Sequence, residues 1–68
     1  MVHFSERLRE LRSDAGLTRA ELAAKLNVST RLVCYWERGE RECDFETLFK
    51  IADFFDVSID YLLGRKDY

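Results

Sequence analysis

The sequence predicts an all-α fold: a compact five-helix bundle formed as a single domain over residues 1–68. Three observations carry that prediction. Apolar residues recur at spacings of three and four, the period of a helix with one buried face. Hydroxyl or carboxylate residues stand where helices would start, and Gly or Asn where most would stop. Pro is absent while 47% of the residues are hydrophobic, which suits a helical bundle better than a β-rich or disordered chain. A chain this short buries only about 60% of its unfolded surface, so its core has to be efficient.

The first helix is expected over residues 5–15, with Ser5 as its cap and Glu6 favourable to the dipole of the first turn. Leu8, Leu11 and Ala15 form its apolar stripe, Phe4 lies one turn before Leu8, and Gly16 is the stop. The second helix, over 18–26, opens on Thr18 and Glu21, a pair that can cap reciprocally. Leu22, Ala23 and Leu26 share one face, and Asn27 tolerates the left-handed conformation that ends a helix. Ser29 then caps a third helix over 29–38, in which Val33 and Trp36 turn inward and Gly39 follows as the stop.

Asp44 caps a fourth helix over 45–55 with an inward stripe of Leu48, Ile51, Ala52 and Phe55. Ser58 caps a short fifth helix over 58–63, with Tyr61 and Leu62 inward and Gly64 beyond. Phe49 and Phe54 fall off the fourth helix's stripe. They either mark a dimer surface or pad a small core.

The third helix carries the functional reading. With Val33 and Trp36 inward, Thr30, Arg31, Cys34, Tyr35 and Arg38 lie on its outer face. Hydroxyl, guanidinium and phenol groups in that arrangement suit base edges and phosphates. The turn at 27–29 is too short for antiparallel neighbours, so the second and third helices should cross steeply as a helix-turn-helix.

Composition excludes several alternatives. No apolar run approaches the roughly 18 residues of a membrane span, and the N-terminus lacks a signal peptide's apolar middle, so a cytoplasmic location is expected. Cys34 and Cys43 are the only cysteines and His3 the only histidine; they make no metal site, redox motif or catalytic constellation. Two reduced thiols, no metal, no cofactor, no small-molecule ligand and no enzymatic activity are expected. The net charge of −2 argues against nonspecific nucleic-acid binding as the main role. Residues 1–43 hold eight Lys and Arg against seven Asp and Glu, whereas residues 44–68 hold three against six. DNA contact would therefore involve the first part of the chain.

The stretch from Thr18 to Gly39, TRAELAAKLNVSTRLVCYWERG, resembles the helix-turn-helix of the phage-repressor-like family, the lambda repressor/Cro or xenobiotic response element type. Ala23, Asn27 and Val33 occupy that family's small-residue, turn and second-helix apolar places. The likeness continues through Tyr35 to Gly39, Glu46 to Leu48 and Val57 to Gly64, and covers most of residues 4–64.

The resemblance implies a lambda repressor-like domain and a sequence-specific transcriptional regulator, a repressor that occupies promoters as a homodimer on an inverted repeat of double-stranded DNA. It places Thr30, Arg31 and Tyr35 at base-contacting positions. Thr18, Arg19, Ser29, Arg38 and Arg41 are the expected backbone contacts, with Arg19 standing where the family usually has Gln. It further implies a structural ion pair between Arg12 and Glu37. The loop GERECD, at 39–44, departs from the family by carrying Glu40, Glu42 and Cys43 where basic residues and Pro are common. Low monomer affinity follows from the lost phosphate contacts. The acidic loop also supports a rival reading, a protein-interaction module on the same fold with little DNA affinity.

Overall fold

A computed structural model describes residues 3–67 and places five helices in chain order: α1 (Phe4–Asp14), α2 (Arg19–Leu26), α3 (Thr30–Glu37), α4 (Phe45–Phe55) and α5 (Ile59–Leu62). All five start and stop within a residue or two of the sequence expectation, the usual scatter of helix ends. Four of the five N-terminal caps are side-chain caps. Thr18, Ser29, Asp44 and Ser58 each accept a hydrogen bond from the backbone N–H three residues on. Thr18 and Glu21 form the full reciprocal box, with Thr18 N donating to Glu21 Oε1 at 2.8 Å.

The C-termini share one device. A left-handed residue follows each helix, namely Gly16, Asn27, Gly39, Asp56 and Gly64. The next residue's N–H then bonds the carbonyl five positions back: Leu17 to Arg12, Val28 to Ala23, Glu40 to Tyr35, Val57 to Ala52 and Arg65 to Asp60, at 2.8–3.1 Å. These are Schellman closures, and they satisfy carbonyls that would otherwise lack partners. Asn-Val-Ser at 27–29 and Asp-Val-Ser at 56–58 are therefore the same turn used twice: a left-handed stop, a partly buried Val and a Ser cap.

The first cap corrects the sequence reading. Helix α1 begins at Phe4, its N-cap is His3 with no side-chain cap hydrogen bond, and Ser5 lies inside the helix. Packing decides this. Phe4 is buried and meets Trp36 edge to face, with ring centroids 6.3 Å apart, so the helix extends back to deliver that ring to the core. Ala15 is also displaced from the expected stripe: it is the exposed C-cap of α1. Tyr61 is half-buried rather than in the core, with the Arg7 guanidinium 4.4 Å above its ring.

The core lies where the helical stripes converge. Leu8 from α1, Leu22 from α2, Val33 and Trp36 from α3, Ile51 from α4 and Leu62 from α5 are nearly inaccessible to solvent. Helix α3 is held on one side by α2 and on another by α1, which leaves its outer face free.

Two caps carry a pH dependence. Hydrogen bonds from the Thr18 backbone N–H and hydroxyl hold the Glu21 carboxyl below its usual range. Bonds from Thr47 do the same for Asp44. A carboxyl whose pKa is depressed on folding contributes stability above its unfolded value and loses it as pH falls through the folded value. Thermal midpoints should therefore drop as pH falls below about 4. A Glu21→Gln, Asp44→Asn double variant, which cannot titrate at these sites, should show a shallower drop by circular dichroism.

Candidate nucleic-acid interface

The exposed face of α3 is built by what lies behind it. Val33 and Trp36 are buried one turn apart, so Thr30 and Arg31 stand in solvent and Tyr35 is half-exposed. Ser29, Arg31, Leu32, Tyr35 and Arg41 line one open groove along this face. Of the expected base and backbone contacts, Ser29, Arg31, Tyr35 and Arg41 are thus brought together. Leu32 is half-buried between this groove and a second one lined by Trp36, Glu42, Cys43, Asp44 and Thr47.

Cations frame the Tyr35 ring. The Arg41 guanidinium lies 4.7 Å and that of Arg38 5.7 Å from its centroid, within cation–π range. The stacking holds Arg41, a loop residue, against the helix. Arg38 is also 3.4 Å from Glu40, an exposed pair of the kind worth little in water. The Thr18 and Ser29 hydroxyls accept cap hydrogen bonds; the Thr18 hydroxyl also serves the Glu21 carboxyl, whereas that of Ser29 has an O–H that can donate to a phosphate oxygen. The Cys43 thiol, half-buried beside the α3–α4 loop, is pushed up to about 11 by desolvation, so it is protonated and weakly nucleophilic at neutral pH.

Behind the C-terminal end of α3 sits a buried carboxylate with a guanidinium cluster around it. Glu37 is 2% exposed. Arg12 holds it with a fork, Nε to Oε2 at 2.6 Å and Nη2 to Oε1 at 3.1 Å, while its Nη1 donates to the Leu17 carbonyl at 2.8 Å. The expected Arg12–Glu37 contact is therefore present, and those hydrogen bonds raise the Arg12 pKa above its usual value.

Two further arginines join this cluster. Arg19 Nε donates to Glu37 Oε1 at 2.9 Å, a partner that the sequence does not announce. Its partner lies on α3, reached because Arg19 opens α2 directly beside that helix, and about half of its side chain remains exposed. Arg9 of α1 donates from Nη1 to the Glu37 carbonyl at 3.2 Å. Arginines from α1 and α2 thus satisfy the last residue of α3 through both its side chain and its backbone.

The two off-stripe aromatics do not share a face. Phe49 and Phe54 are 60% and 41% exposed, but five residues on a helix turn them about 140° apart, and Phe54 packs edge to face on Phe55 at 4.9 Å. Phe45, which sequence reading passed over, is 82% exposed. A helical wheel would have found it, since it lies one turn before Phe49. Among the described residues no group of three or more potential metal ligands occurs, and no helix is long and apolar enough to cross a membrane.

Residues 8–62 match the family described as Helix-turn-helix. The HTH-type transcriptional regulator ImmR of Bacillus subtilis is 42% identical over 66 residues, which cover 97% of this chain and 52% of that protein. The cryptic phage CTXphi transcriptional repressor RstR of Vibrio cholerae is 38% identical over 64 residues, covering 94% and 57%. The solution structure of the DNA-binding domain of the P22 C2 repressor aligns with a TM-score of 0.81 at 33% identity, covering 88% of this chain and 79% of that one. The chain spans about half the length of the curated relatives ImmR and RstR. With the three-residue turn between α2 and α3, the capped starts of both helices and the match over residues 8–62, the chain belongs to the phage-repressor-like helix-turn-helix family.

Proposed function

We propose that this chain is the DNA-reading part of a transcriptional regulator that binds double-stranded DNA sequence-specifically, with α3 in the major groove. The observation that carries this reading is the exposed polar face of α3, on which Thr30, Arg31 and Tyr35 stand opposite the buried Val33 and Trp36. Arg31 has the right chemistry for a bidentate contact to guanine O6 and N7, and Thr30 for a thymine methyl.

Backbone contacts are assigned to Thr18, Arg19, Ser29, Arg38 and Arg41. For Arg19 the assignment rests on geometry: Glu37 binds its Nε, so the Nη edge of a pre-oriented guanidinium is left to meet a phosphate. Two chains on an inverted repeat would set their reading helices about 34 Å apart, one turn of duplex. A dimer contact would use the exposed aromatics of α4, Phe49 or Phe54, which are 60% and 41% exposed on different sides of the helix. Repression follows if the operator overlaps a promoter, because a bound dimer excludes polymerase. No chemistry on the DNA is involved.

Selection from random-sequence duplexes at low and moderate salt, with Arg31→Ala in parallel, tests the reading. An enriched inverted repeat is expected. Arg31→Ala should lose about 1 to 3 kcal/mol of discrimination at one base pair per half-site. Enrichment that Arg31→Ala leaves unchanged would remove the base-contact assignment. The Arg38–Glu40 pair and the exposed Glu42 favour a second reading, a protein-interaction module; absence of any enrichment by a folded chain would overturn the first reading and turn the search to protein partners.

A further inference from the structure

Tyr35 differs from Thr30 and Arg31 in what already touches it. Two guanidiniums flank its ring, Arg41 at 4.7 Å and Arg38 at 5.7 Å from the centroid. Arg38 is the C-cap of α3, whereas Arg41 belongs to the α3–α4 loop. That loop, GERECD at 39–44, sets a single Arg against Glu40, Glu42 and Asp44, so its own charge repels a phosphate backbone. Arg41 nevertheless lines the α3 groove together with Ser29, Arg31, Leu32 and Tyr35. Attraction to a ring face explains the placement, because it acts through the ring's quadrupole and consumes none of the guanidinium's N–H donors. The planar fork is left for a phosphate. Arg38 is in a similar position: its contact with Glu40 is through Nε at 3.4 Å, with both side chains more than half exposed.

We infer that Tyr35 is a positioning residue: its ring holds Arg41 and Arg38 where both meet the DNA backbone, and the phenol itself reads no base. This role rests on the DNA reading proposed above and leaves sequence discrimination to Thr30 and Arg31. Its physical advantage is preorganisation. A long Arg side chain loses rotamer freedom when it grips a phosphate, and a side chain already ordered on a ring loses less at that moment. The ring also gathers two cations to one side of an otherwise acidic loop, restoring phosphate contacts where Glu40, Glu42 and Asp44 oppose them.

The test is selection from random duplexes followed by fluorescence-anisotropy titration of the selected duplex across a salt series. It compares the parent with Tyr35→Leu, Tyr35→Phe, and an Arg38→Gln, Arg41→Gln chain with and without Tyr35→Leu, each first shown to keep the parent's helicity by circular dichroism. Removing both arginines should make the salt dependence shallower by about 1.8 log units per log salt, the equivalent of two phosphates. Tyr35→Leu should weaken binding about fivefold while selecting the same sequence, and Tyr35→Phe, which keeps the ring, should stay within about twofold of the parent. Without the two arginines, Tyr35→Leu should change affinity by less than about twofold. A relaxed preference at one base pair in Tyr35→Leu overturns the assignment, because it marks a base contact. So do equal losses for Phe and Leu, a Tyr35→Leu loss that survives removal of both arginines, or a salt slope that those arginines leave unchanged. All of these leave the DNA reading standing, whereas a parent that enriches no duplex removes that reading and the role of Tyr35 with it.

Discussion

Arg12→Ala is expected to destabilise the fold by about 3 to 5 kcal/mol, the cost of leaving a buried charge without its main partner. Glu37 is 2% exposed, and Arg12 supplies both arms of the fork that binds its carboxylate. Without it, the carboxylate keeps only Arg19, through one nitrogen of a half-exposed side chain. A domain of this length is stable by roughly 0.05 to 0.15 kcal/mol per residue, so this loss removes much or all of its margin. Urea unfolding followed by Trp36 fluorescence measures it. Arg12→Lys should recover only part, since an ammonium keeps the charge but cannot span both oxygens and the Leu17 carbonyl at once. A loss below about 1 kcal/mol for Arg12→Ala would place the cluster with exposed pairs that solvent already satisfies.

Trp36 gives the second large effect, and a contrast within it. Its side chain is 1% exposed and meets Phe4 edge to face. Trp36→Ala should therefore cost about 3 to 5 kcal/mol in lost transfer energy and residual cavity. Trp36→Phe should cost much less, about 1 kcal/mol. Trp36 Nε1 is buried without a hydrogen-bond partner, so the Phe variant removes an unsatisfied donor along with the ring volume, and the two changes offset. Circular dichroism in urea is the measurement, because the variants lack the indole reporter. A loss for Trp36→Phe well above about 1 kcal/mol would mean that the indole N–H is bonded in solution.

The elements of this fold were legible because each is written locally. Thr18 with Glu21, Ser29, Asp44 and Ser58 bond N–H groups three residues away, and Asn27 acts through its own φ. Neither needs a distant partner. The exception proves the cause: Ser5 has a good cap composition, yet α1 starts earlier because Phe4 packs on Trp36, far along the chain. The exposed reading face was legible for the same reason as the stripes, since helical periodicity assigns Val33 and Trp36 inward and thereby Thr30 and Arg31 outward.

What the amino-acid order determined by itself was therefore helix number, type, caps and the inner and outer face of each helix, all set by interactions within about five residues. What only the tertiary structure decided was the partnering of long side chains. Arg9 is one more charge on α1 and Arg19 an expected phosphate contact until α1 and α2 bring them against Glu37, 28 and 18 residues away. Arg41 reads as a loop cation until it stacks on Tyr35, and Phe45 reads as one more apolar residue until α4 packs with it outward. A guanidinium reaches several ångströms in any direction its flexible stem allows, so sequence supplies its charge and only packing supplies its address.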